Sequence, residues 1–141
     1  MLKHIPILIR LHSEDIRKAD AAKELRIDRY SLEKELAHQP GVYAFWATMH
    51  SQAIAKVESL REQRDILESE LYRGFMHDKV KPSAIKHYIL RSSRHQRLSR
   101  RIRVWEGAER ELKGLVRAFE QRHSSLMALN ANTRNEQKHG S

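Results

Sequence analysis

Positive charge is concentrated in one stretch of the chain, KVKPSAIKHYILRSSRHQRLSRRIR at residues 79–103, which contains nine lysines and arginines and no aspartate or glutamate. The whole chain has 27 basic and 18 acidic residues, so its net charge of +9 at pH 7 equals the contribution of this stretch. A block of one sign attracts polyanions such as nucleic acid or an anionic membrane surface. We call residues 79–103 the basic segment. Its cations are Lys79, Lys81, Lys86, Arg91, Arg94, Arg97, Arg100, Arg101 and Arg103.

Nucleic acid is the favoured polyanion for this segment. On a helix, Leu98, Ile102 and Trp105 fall on one narrow apolar stripe, and the arginines cover most of the polar arc around it. The stripe is needed to close a helical hairpin, which disfavours membrane binding through an exposed apolar face. Lysine and arginine can follow a phosphate backbone without reading bases. Binding of single strands also requires aromatic or planar side chains that stack on bases. The candidates, each of a type that is more often a packing residue, are Tyr72, Phe75, Tyr88 and His95.

The positive charge could instead be neutralised within the chain. If a hairpin turns near residue 80, residues whose numbers add to about 160 lie opposite each other, which places several acids beside residues 90–102. Exposed ion pairs contribute only about 0–1 kcal/mol each. Because the cations outnumber these acids, an excess of positive charge remains. The acids are Glu58, Glu62, Asp65, Glu68 and Glu70.

Catalytic chemistry is not indicated. The sequence has no GK[ST] phosphate-binding loop, no GxGxxG and no GxSxG, and its nine histidines include no HExxH. The absence of cysteine removes disulfides, thiolate nucleophiles and thiolate metal sites. We therefore predict a protein that is not an enzyme and holds no metal or other cofactor.

The apolar pattern predicts an all-α protein built on a long antiparallel, coiled-coil-like helical hairpin. Five glycines and three prolines are too few for a many-stranded sheet. Apolar residues recurring every seven positions predict long helices over about residues 41–75 and 83–130. Pro40 and Gly41 should interrupt the helical segment that precedes them, and Pro82 should begin the second long helix.

The two ends of the chain are expected to be less regular. Residues 1–12 are predicted to form an extended arm, too short in its apolar run for a membrane span and without a cleavage site. Ser13 should cap a short helix, and Asp28 a second one, so that the helical domain covers residues 13–130. Residues 131–141 are predicted to be a flexible tail. A soluble, unprocessed, cytoplasmic protein is expected.

The apolar residues at heptad spacing are interpreted as core. With 40% hydrophobic and 32% charged residues and a mean hydropathy of −0.72, the chain can build only a thin core as a monomer. Surplus apolar surface would then be buried between subunits of a homo-oligomer. The predicted hairpin and oligomer core consists of Trp46, Leu60, Leu67, Trp105, Leu112 and Phe119.

Several segments resemble the UvsY-like family of phage recombination mediators. Residues 13–28, SEDIRKADAAKELRID, resemble that family's acidic opening helix with its Ile-Asp cap, and residues 32–46 resemble its next helical segment. Residues 67–75, LESELYRGF, resemble the aromatic, glycine-containing end of its long helix. The features that resemble its closing helix are Gln121, Arg122, Leu126, Leu129 and Glu136.

The resemblance implies a ring-forming homo-oligomer that binds single-stranded DNA and helps load a RecA-like recombinase onto DNA coated by a single-strand-binding protein. If the chain is phage-encoded, it would act in the cytoplasm of the host cell. The family's basic DNA-binding motif lies late in the first long helix, where the matching cation is Arg64 and another basic position falls on Ile66. We therefore predict that Arg64 contacts DNA together with the nine cations of the basic segment.

Two other functions remain open at the level of sequence. The hairpin could be a protein–protein adaptor or a phage regulatory factor that uses its basic face to dock an acidic partner. It could also be a helical repressor that binds duplex DNA, although seven-residue spacing through long helices differs from the short helices of a helix-turn-helix.

Overall fold

The computed structural model describes residues 21–140, which are almost entirely helical. Residues 21–24 are helical, and three further helices follow: α1, Leu32–His77; α2, Pro82–Arg91; and α3, Ser93–His139. Residues 21–140 contain no strand, and the antiparallel pairing of α1 with α3 confirms the predicted all-α helical hairpin. None of the helices in this range has an apolar stretch long enough to cross a membrane. The predicted arm at residues 1–12 and the helix start at Ser13 lie outside the described residues.

The chain divides into two compact units, and α1 and α3 each supply residues to both. Of the described residues, 21–50 with 111–140 form one unit, here the terminal unit, and residues 51–110 form the other, the turn unit. The terminal unit thus joins the start of α1 to the end of α3. The turn unit joins the end of α1 to α2 and the start of α3.

The core of the terminal unit is aromatic. The rings of Trp46 and Phe119 stack with their centroids 6.1 Å apart and their planes at 14°, and both side chains are fully buried, as is Leu112. The indole N–H of Trp46 donates to Oε2 of Glu24 at 3.4 Å, which satisfies the polar edge of the buried ring. This bond also ties the helical residues 21–24 to α1.

A buried polar cluster lies beside this aromatic pair. The guanidinium of Arg122, which is 6% exposed, donates to the carboxylate of Glu35 and to the side-chain oxygen of Gln39. It also donates to the backbone carbonyl of Arg26 at 3.2 Å. Gln39 in turn donates from Nε2 to the carbonyl of Phe119 at 2.8 Å. The cluster therefore fixes the register of α1 against α3 within the terminal unit through hydrogen bonds that have little competition from water.

The turn unit is closed by apolar side chains from all three helices. Leu60 and Leu67 of α1 and Trp105 of α3 are buried, so all six residues of the predicted core stripe are buried in one unit or the other. Ile85 of α2 is 1% exposed. Because α2 has only ten residues, and an isolated helix of that length is marginal in water, we attribute its stability chiefly to this anchor.

The connection between α1 and α2 is a Schellman turn. The N–H of Val80 donates to the carbonyl of Phe75 at 3.0 Å and the N–H of Lys79 to that of Met76 at 3.1 Å, which is the hydrogen-bond pair that defines the motif. Lys79 has the left-handed φ of 59° that this position requires. Pro82 then begins α2, where its fixed φ suits the first helical turn.

The predicted interruption at Pro40 and Gly41 is wrong, because both residues lie inside α1. Proline removes one helical hydrogen bond and clashes with the preceding turn. The residues on either side nevertheless hold the helix, since Gln39 and Val42 are both buried and Gln39 binds α3 directly. Tertiary contacts on both sides therefore outweigh the local preference of proline.

The predicted single helix over residues 83–130 is also wrong, because Ser92 separates α2 from α3. The N–H of Ser92 donates to the carbonyl of Ile89, and the carbonyl of Ser92 accepts from the N–H of Gln96, both at 3.0 Å. With ψ at 128°, Ser92 ends one helix and caps the next. Serine is favoured at such a position because its side chain competes with helical backbone bonding.

The predicted loss of structure after residue 130 is wrong as well, since α3 continues to His139. The exposed residues 131–139 are held by local bonds, among them one from Oγ1 of Thr133 to the carbonyl of Leu129 at 3.0 Å. The stretch is rich in residues with good helix propensity, such as Ala131, Arg134 and Gln137. Ser141 lies outside the described residues.

Candidate nucleic-acid interface

All nine cations of the basic segment are exposed and belong to the turn unit. Lys79 and Lys81 lie in the connection between α1 and α2, Lys86 and Arg91 lie on α2, and the other five lie on the first three turns of α3. Exposure leaves their charges accessible to a polyanion from solvent. The break at Ser92 separates the cations of α2 from those of α3.

Within residues 21–140, none of these nine cations forms an ion pair with a carboxylate. Of the five acids predicted to lie opposite them, Glu68 instead bonds to His95. The cross-helix arginine pair of the turn unit is formed by Arg61 and Glu106, at 2.7 Å. Nε of Arg100 donates to the backbone carbonyl of Gln96, within its own helix, at 3.4 Å. Neutralisation by direct ion pairs therefore does not account for the positive charge.

A groove of about 460 Å³ runs along the turn unit between α1 and α3. The arginines at its edge, Arg94, Arg97 and Arg101, follow each other on one face of α3 at spacings of three and four residues. The α1 side contributes polar groups and an exposed apolar side chain. The remaining lining residues are Gln63, Ile66, Leu67, Glu70 and Leu98.

The position matched to the family motif lies beside this groove and does not line it. Arg64 is half-buried, whereas Ile66, at the motif's other basic position, is 54% exposed and lines the groove. The structure therefore brings three of the predicted arginines together with Ile66 and leaves Arg64 apart from them.

The aromatic candidates for base stacking differ in their surroundings. His95 is 5% exposed, and its Nε2 lies 2.8 Å from Oε1 of Glu68, so His95 is a packing residue and is not available for base stacking. Tyr72 and Tyr88 are both close to half exposed. Phe75 is half-buried and packs its ring against that of Tyr88, with centroids 5.5 Å apart.

On the α1 side of the groove, sequence reasoning missed Gln63. It named Glu70 as an acid opposite the basic segment and Ile66 as a motif position, without joining them in one groove. Gln63 and Glu70 lie four and three residues from the buried Leu67, spacings at which side chains are neighbours on a helix surface. That spacing could have identified the groove once Leu67 was assigned to the core. Among residues 21–140, no group of three or more histidine and carboxylate side chains could hold a metal ion.

No protein-family model matches the chain, and no curated protein matches it in sequence. Solved structures do match it in fold. A crystal structure of the bacteriophage T4 recombination mediator protein UvsY superposes with a TM-score of 0.72 at 15% identity, covering 87% of this chain and 97% of that one. A second crystal form of the same protein gives 0.69 at 16% identity, with 87% and 96% covered. The fold of this chain is therefore similar to that of the T4 recombination mediator UvsY.

Proposed function

We propose that the protein is a non-enzymatic mediator of homologous recombination that binds single-stranded DNA. In this role it helps load a RecA-like recombinase onto DNA coated by a single-strand-binding protein. The observation that carries the proposal is the set of nine exposed cations without a carboxylate partner in residues 21–140. The similarity in fold to a recombination mediator supports the same conclusion.

The proposed mechanism begins with phosphate binding. Each lysine or arginine that contacts a phosphate releases condensed counterions, which supplies affinity without sequence preference. Arg94, Arg97 and Arg101 would hold the backbone along the groove, and the other cations of the basic segment would extend the path toward the turn. Arg64, half-buried beside the groove, would contribute at longer range.

Self-association would multiply this site along one strand. Large apolar side chains remain exposed in both units, for example Val104 at 39% and Met127 at 51%, and burying such side chains between subunits stabilises an oligomer. Several copies on one strand would bind with far higher effective affinity than a single copy. A mediator assembled as a closed ring would then hold the strand while the recombinase replaces the single-strand-binding protein.

The decisive experiment is a titration with a fluorescent single-stranded oligonucleotide and its duplex at several salt concentrations. The test variant is R97A/R100A/R101A. The matched control, R110A/K113A/R117A, removes three exposed cations from the same helix outside the basic segment. The test variant should lose affinity for all sequences, and its salt slope should fall by about 2 because each phosphate contact contributes about 0.7.

Absence of single-strand binding at low ionic strength would contradict the proposal, and so would equal losses in the test and control variants. If the protein instead captured an acidic protein without binding DNA, the adaptor function would be supported. Stronger binding to the duplex would support the repressor. Loading is tested separately, by measuring whether the protein shortens the lag of a RecA-like recombinase on DNA coated by a single-strand-binding protein.

A further inference from the structure

The turn unit has an aromatic pair next to its cations. Tyr88 of α2 lies against Phe75 of α1, with ring centroids 5.5 Å apart and planes at 37°. Phe75 is half-buried, whereas Tyr88 remains 45% exposed. The contact restricts the motion of the Tyr88 ring while leaving much of it open to solvent, which is the condition under which an aromatic side chain can stack on a ligand at little entropic cost.

The charges around Tyr88 suit a polyanion. Arg91 is three residues further along α2, a spacing at which side chains are neighbours on the helix surface, whereas Lys86, two residues before Tyr88, faces another side of the helix. The ten residues of α2 contain no aspartate or glutamate. A strand with a phosphate on Arg91 would bring a base close to the ring.

A second tyrosine of the turn unit, Tyr72, has surroundings that differ from those of Tyr88. It is 46% exposed, but it lines a shallow depression between α1 and α2 whose charged residues are Asp65, Glu68 and Arg73. Two carboxylates against one guanidinium leave this depression net negative, which disfavours phosphates. The two tyrosines therefore match in exposure and differ in the charge around them.

We propose that Tyr88 stacks on an unpaired base of the bound strand while Arg91 holds the adjoining phosphate. Every base offers a π face, so stacking of this kind tolerates any sequence. Bases in a duplex are already stacked on each other, and Tyr88 would thus give the site its preference for single strands. The inference rests on the proposed function, since it assigns a second kind of contact to the same ligand.

The test uses two strands of equal length, oligo-dT and an abasic strand that keeps the phosphates and lacks the bases. The variants are Tyr88→Leu, which keeps apolar volume against Phe75, Tyr88→Phe, which keeps the ring, and Tyr72→Leu as the matched control. Tyr88→Leu should bind oligo-dT about tenfold more weakly and the abasic strand as well as the unaltered protein does. Tyr88→Phe and Tyr72→Leu should bind both strands normally.

An unchanged affinity of Tyr88→Leu for oligo-dT would overturn the stacking role, and so would an equal loss on both strands. Circular dichroism of each variant shows whether helix content is retained, and Tyr88→Phe tests the ring even if Tyr88→Leu unfolds. If the unaltered protein bound neither strand in a salt-dependent way, the proposed function itself would fail. Salt-dependent binding of equal strength to both strands would leave that function standing and overturn the inference alone.

Discussion

The imidazole Nε2 of His95 lies 2.8 Å from Oε1 of Glu68, and this contact joins α1 to the part of α3 that belongs to the basic segment. The histidine side chain is 7% exposed and the glutamate 43%. The pair therefore gives a buried polar ring its partner, while the carboxylate of Glu68 stays partly exposed. We interpret it as a structural contact that holds α1 against α3 within the turn unit.

Replacing Glu68 by Ala should destabilise the fold and leave the cations in place. The change leaves Nε2 of the buried His95 without this hydrogen-bond partner, which lowers the unfolding free energy by about 1–2 kcal/mol. Urea denaturation measures this, with Glu62→Ala as the control because Glu62 is exposed on the same helix. Equal stability of the two variants would show that the contact contributes nothing.

Arg122 should matter more for stability than any exposed arginine. Arg122→Ala leaves Glu35 and the buried Gln39 without their guanidinium partner, and breaking a buried ion pair costs about 3–5 kcal/mol. Thermal unfolding of this variant and of Arg117→Ala, an exposed position on the same helix, measures the difference. Similar melting temperatures would contradict the role assigned to the cluster.

Lys79→Gly should stabilise the protein while weakening DNA binding. Lysine at the left-handed φ of 59° carries a steric cost that glycine avoids, so the gain in unfolding free energy should be about 1 kcal/mol. Lys79→Ala removes the same charge and keeps the strain, and it should not gain stability. Both variants should lose the same small factor in single-strand affinity, and unequal losses would mean that the turn geometry itself contributes to binding.

Glu70→Gln should tighten single-strand binding. Glu70 is the one carboxylate among the residues that line the arginine groove, and its charge opposes an incoming phosphate. We expect an increase of about twofold at low salt, which should fade as salt screens the interaction. Glu136→Gln makes the same change in net charge on the exposed end of α3. An equal increase in that control would attribute the effect to net charge alone.

Tyr43 should titrate at high pH. The hydrogen bond that its hydroxyl donates to Glu120 at 3.2 Å, and then the negative charge of that carboxylate, raise the pKa of the phenol above its ordinary value of about 10. The neutral phenol is the form favoured by the fold, so its contribution to stability is present below pH 10 and is lost as pH rises through the raised pKa. Tyrosinate absorbance of the unaltered protein and of Tyr43→Phe isolates this group, and Glu120→Gln should lower the pKa.

The sequence alone predicted the structural features that follow from the repeating apolar pattern. Apolar residues every seven positions predicted the helical hairpin, and Trp46 and Phe119 are buried against each other because both lie on that repeat. The turn near residue 80 was predictable for a similar reason, since Pro82 can begin a helix and cannot easily continue one.

Features that depend on one particular distant contact were not predictable. Pro40 stays helical because the neighbouring Gln39 donates a hydrogen bond to the carbonyl of Phe119, 80 residues away. No residue near Pro40 in the sequence predicts that bond. The burial of His95 depends on Glu68 in the same way. Which arginines lack a carboxylate partner depends on the exact register of α1 against α3, which an apolar repeat specifies only to within a residue or two.

The break at Ser92 gives the basic segment a property that a continuous helix would lack. The hydrogen-bond ladder of α2 ends at Ser92 and that of α3 begins there, so helical order on one side is not transmitted to the other through the backbone. A DNA strand bound to Arg91 and Arg94 together would cross this joint. The bound strand would then hold α2 and α3 in one arrangement. The free-energy cost of ordering α2 would therefore be included in the free energy of DNA binding.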